Sequence, residues 1–168
     1  MKAEEKINRA CSQALIVKSR GCHCSQAGLC GMASLLELDE GYAMKLMSAF
    51  GGGMRHQQLC GAVVAAGTAL GLALGADKYD KANNDRLGEL TVEFVDRFNK
   101  ELGTTVCGQL LMDKREAFHW DMPEELAFES NGDNENGNEF NLKVPVCGVA
   151  ITSAVRIALE IIHREKGL

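Results

Sequence analysis

The chain has 168 residues, a formal net charge of -5 and seven cysteines. That length suits a single domain, 1–168, able to bury a core without disulfide staples, and the odd cysteine count rules out complete internal pairing. Acidic and basic residues interleave with no basic stripe or aromatic platform, which argues against a nucleic-acid partner.

The opening residues Met1 to Lys6 mix charges and lead straight into an amphipathic pattern, unlike a secretory signal peptide, so a cytoplasmic protein with reduced thiols is expected. The most apolar run, Ala62 to Ala76, falls short of the roughly 18 to 20 residues that span a bilayer, so it reads as a buried core helix and no membrane span is expected.

Residues 3–18 place Ile7, Ala10, Cys11, Ala14, Leu15 and Val17 at helical spacing, and Gly21 ends the run. Ser25 is the expected N-cap of a second helix reaching about Leu38, and Asp39 caps a third through Phe50. The glycines 51–53 break that helix, and a loop through Met54, Arg55 and His56 leads to Cys60. There a fourth, Gly/Ala-rich helix begins, expected to be the central one. Asn83 or Asn84 is the expected cap of a fifth helix through Leu102, stopped by Gly103. Thr104 or Thr105 caps a short sixth helix carrying Cys107, Leu110 and Leu111. Residues 113–143, with Trp120 and the polar run 130–138, read as an irregular insertion in which 126–129 and 139–142 pair as a small hairpin. A last apolar helix runs from Val146 to about Glu165. The whole reads as an all-α bundle of about six to seven helices.

Cys24, Cys60, Cys107 and Cys147 each fall where one of these helices begins. Unpaired backbone N–H groups and the positive end of the helix dipole stabilise a thiolate over a thiol, so the recurrence points to redox or metal chemistry. The four lie far apart in sequence, with no C-x-x-C, P-loop or G-x-S-x-G, and only tertiary packing brings them together. Cys11 and Cys30 read as core residues. Cys22, beside His23, and His56, four residues before Cys60, are additional candidates for the site, although an exposed loop position is the plainer reading of both histidines.

The ordered pieces Cys24-Ser25-Gln26-Ala27, Ser48 to Met54, Cys60-Gly61-Ala62 with Gly67, Cys107 with Leu110-Leu111, and Cys147 resemble the family of small redox-active proteins named for its C-GCAxxG-C-C cysteine pattern. The resemblance implies a helical domain whose four characteristic cysteines, here Cys24, Cys60, Cys107 and Cys147, serve redox activity or bind an iron–sulfur cluster or another metal. The long insertion before Cys147 and the extra Cys11, Cys22 and Cys30 depart from that pattern.

Three functions follow as expectations. The first is electron transfer through an iron–sulfur cluster or other metal held by the four cysteines. The second is thiol–disulfide catalysis, with Cys60 as nucleophile and a neighbour such as Cys24 resolving. The third is a structural zinc site in an interaction module. A redox partner is implied, and the apolar faces of the fourth and last helices leave room for a homodimer.

Overall fold

A computed structural model describes residues 2–112 and 146–167. Seven α-helices follow in chain order among the described residues: α1 (Ala3–Ser19), α2 (Cys24–Met32), α3 (Glu40–Leu46), α4 (Gly61–Leu74), α5 (Lys81–Leu102), α6 (Cys107–Met112) and α7 (Val146–Lys166). Two 3-10 turns, Ala33–Leu36 and Ser48–Phe50, extend α2 and α3. There is no strand among the described residues, only a lone antiparallel bridge between Leu59 and Val106. The all-α class is as the sequence indicates. The insertion 113–143, its hairpin and Trp120 lie outside the described residues.

Local side-chain chemistry sets the boundaries, and in several places it differs from the sequence reading; α3, expected to run through Phe50, ends at Leu46. The N-cap of α2 is His23, two residues before the expected Ser25: its amide donates to Gln26 Oε1 at 3.1 Å. Ser25 is buried instead, donating its hydroxyl to the Met47 carbonyl at 2.9 Å. Asp39 caps α3 as expected, accepting from the Tyr42 amide at 2.7 Å. Helix α5 starts from Asp80, which accepts from the Asn83 amide at 3.0 Å. Asn83 donates its side-chain amide to the Leu74 carbonyl at 2.8 Å, closing the end of α4. Helix α2 also stops early, at Met32, because the chain tightens into the 3-10 turn and then turns left-handed at Glu37, φ +53°.

Helix α2 packs between α1 and α4, and α7 packs against α1, α2, α4 and α5, so the centre is shared by α2, α4 and α7. Bare backbone makes the α1–α2 crossing close: a Cβ on Gly31 would lie 2.6 Å from that of Ala14. Leu29, Met32, Met47, Leu70, Phe94, Phe98, Ile151, Ile157, Leu159 and Ile161 fill the interior, and the rings of Phe94 and Phe98 sit 6.0 Å apart. By length and composition α7 is the one described helix that reaches the dimensions of a membrane span, yet much of it is consumed in this core. The faces of α4 and α7 that a dimer was expected to use are largely occupied by the chain's own helices.

Outside the core, α5 is laced to α7 by ion pairs: Arg86 with Glu165 at 2.8 Å, Glu93 with Arg164 at 2.7 Å, Arg97 with Glu160, and Arg156 with Glu101. Each exposed pair is worth about 0–1 kcal/mol, so the lattice sets the alignment of α5 more than its stability.

Candidate functional site

Helices α2, α4, α6 and α7 begin at the same end of the bundle, around a cavity of about 190 Å³. Cys24, Cys60, Cys107 and Cys147 all line it, with Lys18, His23 and the apolar Leu110, Val146 and Ala150. The four sulfurs act electrostatically on one another: Cys24 feels Cys60 and Cys147, Cys60 feels Cys107 and Cys147, and Cys107 feels Cys147.

Cys60 is the N-cap of α4, and the Ala62 and Val63 amides of the first turn favour its anion. The Leu59–Val106 bridge pins it to Cys107: the Cys60 amide donates to the Thr105 carbonyl at 2.8 Å and the Cys107 amide to the Gln58 carbonyl at 2.6 Å. Gly61 brings Cys60 up to Cys24. A Cβ there would lie 2.8 Å from the Phe50 carbonyl oxygen and 3.0 Å from the Ser25 nitrogen, so only glycine lets the first turns of α2 and α4 touch.

The loop before Cys60 is not an ordinary turn. Gly52, Gly53, Met54 and Arg55 take φ of +59°, +57°, +58° and +61°, one turn of left-handed helix. It is closed by amide bonds from Arg55 to Gly51 at 3.0 Å, Gln57 to Gly52 at 3.1 Å and Gln58 to Gly53 at 3.1 Å. Such a conformation costs roughly 1–2 kcal/mol at each non-glycine residue. The turn presses Gly53 against Cys107, where a Cβ would come within 2.8 Å of the cysteine's own. It also delivers the Arg55 guanidinium to His23 Nε2 at 2.9 Å.

Cys24 and Cys147 stand together on the cavity wall, and their mutual interaction is the largest influence on both thiols. It lowers Cys147 to about 6, against the opposing effect of burial and with help from the Lys18 ammonium. The same interaction, with burial, pushes Cys24 far above the ordinary thiol range. The two act as one unit that loses its first proton readily and holds its second. Burial raises Cys60 against the effect of the Ala62 and Val63 amides, and it raises Cys107 as well. The expectation that all four helix starts would favour the anion is therefore corrected. Desolvation outweighs the helix ends at Cys60 and Cys107, while Cys24 and Cys147 are set first by each other.

Cys11 and Cys30 are core residues as expected, with burial raising Cys11 to about 12 and Cys30 to about 11. Cys22 and His56 are not among the cavity-lining residues. Cys22 acts electrostatically on Cys30, and its carbonyl accepts from Lys18 Nζ at 3.0 Å. His56 is exposed on the left-handed turn. Sequence reasoning missed Lys18 and Arg55, since the one ends α1 and the other sits in a loop, and neither position carries a motif. Any metal or cluster here would be held by the four cavity cysteines. Among the described residues, no three His, Cys, Asp or Glu side chains are grouped closely enough for a single ion.

Residues 22–161 match the family described as "Putative redox-active protein (C_GCAxxG_C_C)". The chain belongs to the C_GCAxxG_C_C family. No curated protein and no solved structure matches the chain. In this C_GCAxxG_C_C protein the four cysteines singled out by their order along the sequence are the four around the cavity.

Proposed function

We propose that the protein exchanges electrons through thiol–disulfide chemistry at the Cys24–Cys147 pair. The placement of those two thiols in one cavity lined by two more, where each dominates the other's ionisation, carries this reading. Cys147 is the thiolate that attacks, and Cys24 is the thiol that resolves. Cys60, the nucleophile favoured by sequence, is buried and stays protonated, so it and Cys107 act as a reserve dithiol rather than as the attacking group. A reducing, cytoplasmic compartment and a redox partner fit this role.

The test is to equilibrate the reduced protein in graded mixtures of 2-mercaptoethanol and bis(2-hydroxyethyl) disulfide, quench by alkylation and map peptides by mass. A reversible Cys24–Cys147 disulfide is expected. Retention of all seven alkylatable thiols across the series would sink the reading.

Metal ligation is the second reading, favoured by four sulfurs from separate elements around one cavity with no carboxylate among its described lining residues. Thiolate donors suit an iron–sulfur cluster or zinc. A zinc ion requires all four sulfurs about 2.3 Å from one point, a tighter gathering than the described side chains make. A cluster spans more space and would serve electron transfer. Iron, zinc and sulfide analysis after anaerobic purification decides: a colourless protein free of all three counts against this reading.

A further inference from the structure

We infer that the oxidant admitted to the cysteine cavity is an anionic disulfide, drawn in by Lys18 and Arg55 against the negative charge of the whole chain. The inference rests on the thiol–disulfide reading and adds the charge of the molecule that reading needs.

Every described cavity-lining residue comes from the runs 6–36, 41–76, 102–112 and 146–159, and none of these contains an Asp or a Glu. The carboxylates of the described residues lie instead near the start of α1, around the start of α3, from Asp77 through α5, and in the last turns of α7. Their cationic partners there are already matched: Arg86, Arg97, Arg156 and Arg164 all sit in ion pairs with glutamates. Lys18 and Arg55 differ. Lys18 lines the cavity with its ammonium on a backbone carbonyl, and the exposed Arg55 hydrogen-bonds to the ring of His23, itself a cavity-lining residue. Neither has a carboxylate partner among the described residues, so both charges remain for a ligand.

Range decides which field an incoming molecule feels. At physiological salt the Debye length is about 8 Å, so carboxylates past the end of α4, at the start of α5 and at the end of α7 are screened, and Glu101 at the close of α5 is paired with Arg156, while Lys18 on the cavity wall and Arg55 beside the lining residue His23 are not. Helix α4 alone, 14 residues at about 1.5 Å each, puts its C-terminus roughly 20 Å from Cys60, and Asp77 lies past that end. A buried thiolate repels an anionic disulfide at the moment of attack, and Lys18 and Arg55 offset that repulsion.

The chemistry balances without further reactants. The Cys147 thiolate attacks one sulfur of the disulfide, its S–S bond breaks, and one carboxylate-bearing thiolate leaves with the electron pair. Cys24, its proton passing to water, attacks Cys147 in the mixed disulfide and releases the second thiolate. The protein loses two electrons in forming Cys24–Cys147, and the oxidant gains them as two thiols.

Three small disulfides test this: dianionic 3,3′-dithiodipropionate, neutral bis(2-hydroxyethyl) disulfide and dicationic cystamine. Each second-order rate with the reduced protein is divided by the rate of 2-mercaptoethanol with the same disulfide, which removes intrinsic reactivity. The normalised rates are expected to fall in the order anionic, neutral, cationic, with an anionic-to-neutral ratio of about tenfold, the low end of electrostatic steering. In 0.5 M sodium chloride the ratio shrinks toward one. Lys18→Gln with Arg55→Gln should also abolish the ratio, while Lys18→Arg with Arg55→Lys keeps it, which separates lost charge from lost structure. A normalised preference for cystamine, or a ratio unmoved by the glutamine pair, overturns the inference with the exchange reading intact. No reaction with any of the three overturns both.

Discussion

Cys24 at the first residue of α2 and Cys147 near the start of α7 meet at one cavity across 123 positions of sequence, and each is the largest influence on the other's ionisation. Their pairing favours one sulfur as a nucleophile at neutral pH and the other as a thiol beside it, the two states that exchange requires.

Alkylation by iodoacetamide reads this directly. Cys147 lies below the ordinary thiol range, so one cysteine should label with a midpoint near pH 6 and remain fully reactive at pH 7.5. Cys24→Ala removes that influence, and the midpoint should climb toward the free-thiol value of about 8.5. Cys24→Ser keeps a hydroxyl donor and should leave the midpoint between the two. Equal midpoints for the alanine and serine variants would show that a donor at position 24 is not the cause.

Gly61 and Gly88 are both helical glycines, yet their replacement by alanine should act in opposite directions. Gly88 lies mid-α5 with nothing within 4 Å of a new Cβ, so Gly88→Ala should stabilise by about 0.5–1 kcal/mol through helix propensity. At Gly61 the new methyl meets two backbone groups that cannot turn aside, Phe50 O and Ser25 N. Gly61→Ala should therefore destabilise by about 1–3 kcal/mol, the usual cost of overpacking. Urea midpoints measure both. The Gly61 variant should also label more easily at Cys60, because the α2–α4 contact that buries it opens.

Which of these features could be read in advance follows from their physics. Helices written by 3.6-residue periodicity and closed by glycine were legible, α1 almost to the residue and α5 at its end, though the cap of α5, Asp80, comes three residues before the expected Asn83. Gathering of Cys24, Cys60, Cys107 and Cys147 was legible as well, because each falls at a helix start and four helix starts share one end of the bundle. Charge state was not. Whether a helix end or burial wins at a given thiol depends on solvent exposure and on neighbours such as Lys18, and neither is a local property of sequence. Caps that compete for one backbone end were equally hidden: Asp80 and Asn83 are both capping residues, and only packing of α4 against α5 sends Asn83 to Leu74.

Met54 tests the left-handed turn. Its φ of +58° and ψ of +33° are costly for a side chain that is half exposed and packs little. Met54→Gly should relieve that cost and raise stability by about 1 kcal/mol, net of the extra unfolded-state entropy of glycine. Met54→Ile, β-branched in the same conformation, should lower it. Urea denaturation at pH 7 ranks the three proteins, and an isoleucine variant as stable as the parent would refute left-handed strain at this position.

Alkaline stability isolates Cys11, which is 1% exposed and stays protonated to about 12 because burial opposes its charge. In the unfolded chain it ionises near 8.5. A thiol raised in the folded state contributes stability that is fully present below the unfolded pKa and is lost as pH rises toward the folded one. Unfolding then releases a proton, and stability falls with pH by up to about 1.4 kcal/mol per pH unit between roughly pH 8.5 and 12. Cys11→Ala removes this group but leaves a small cavity, so it should be less stable than the parent at pH 7 and lose less on going to pH 10.5. Its melting temperature should therefore converge on that of the parent as pH rises, and parallel curves across that window would mean that Cys11 ionises as freely in the folded protein as in the unfolded chain.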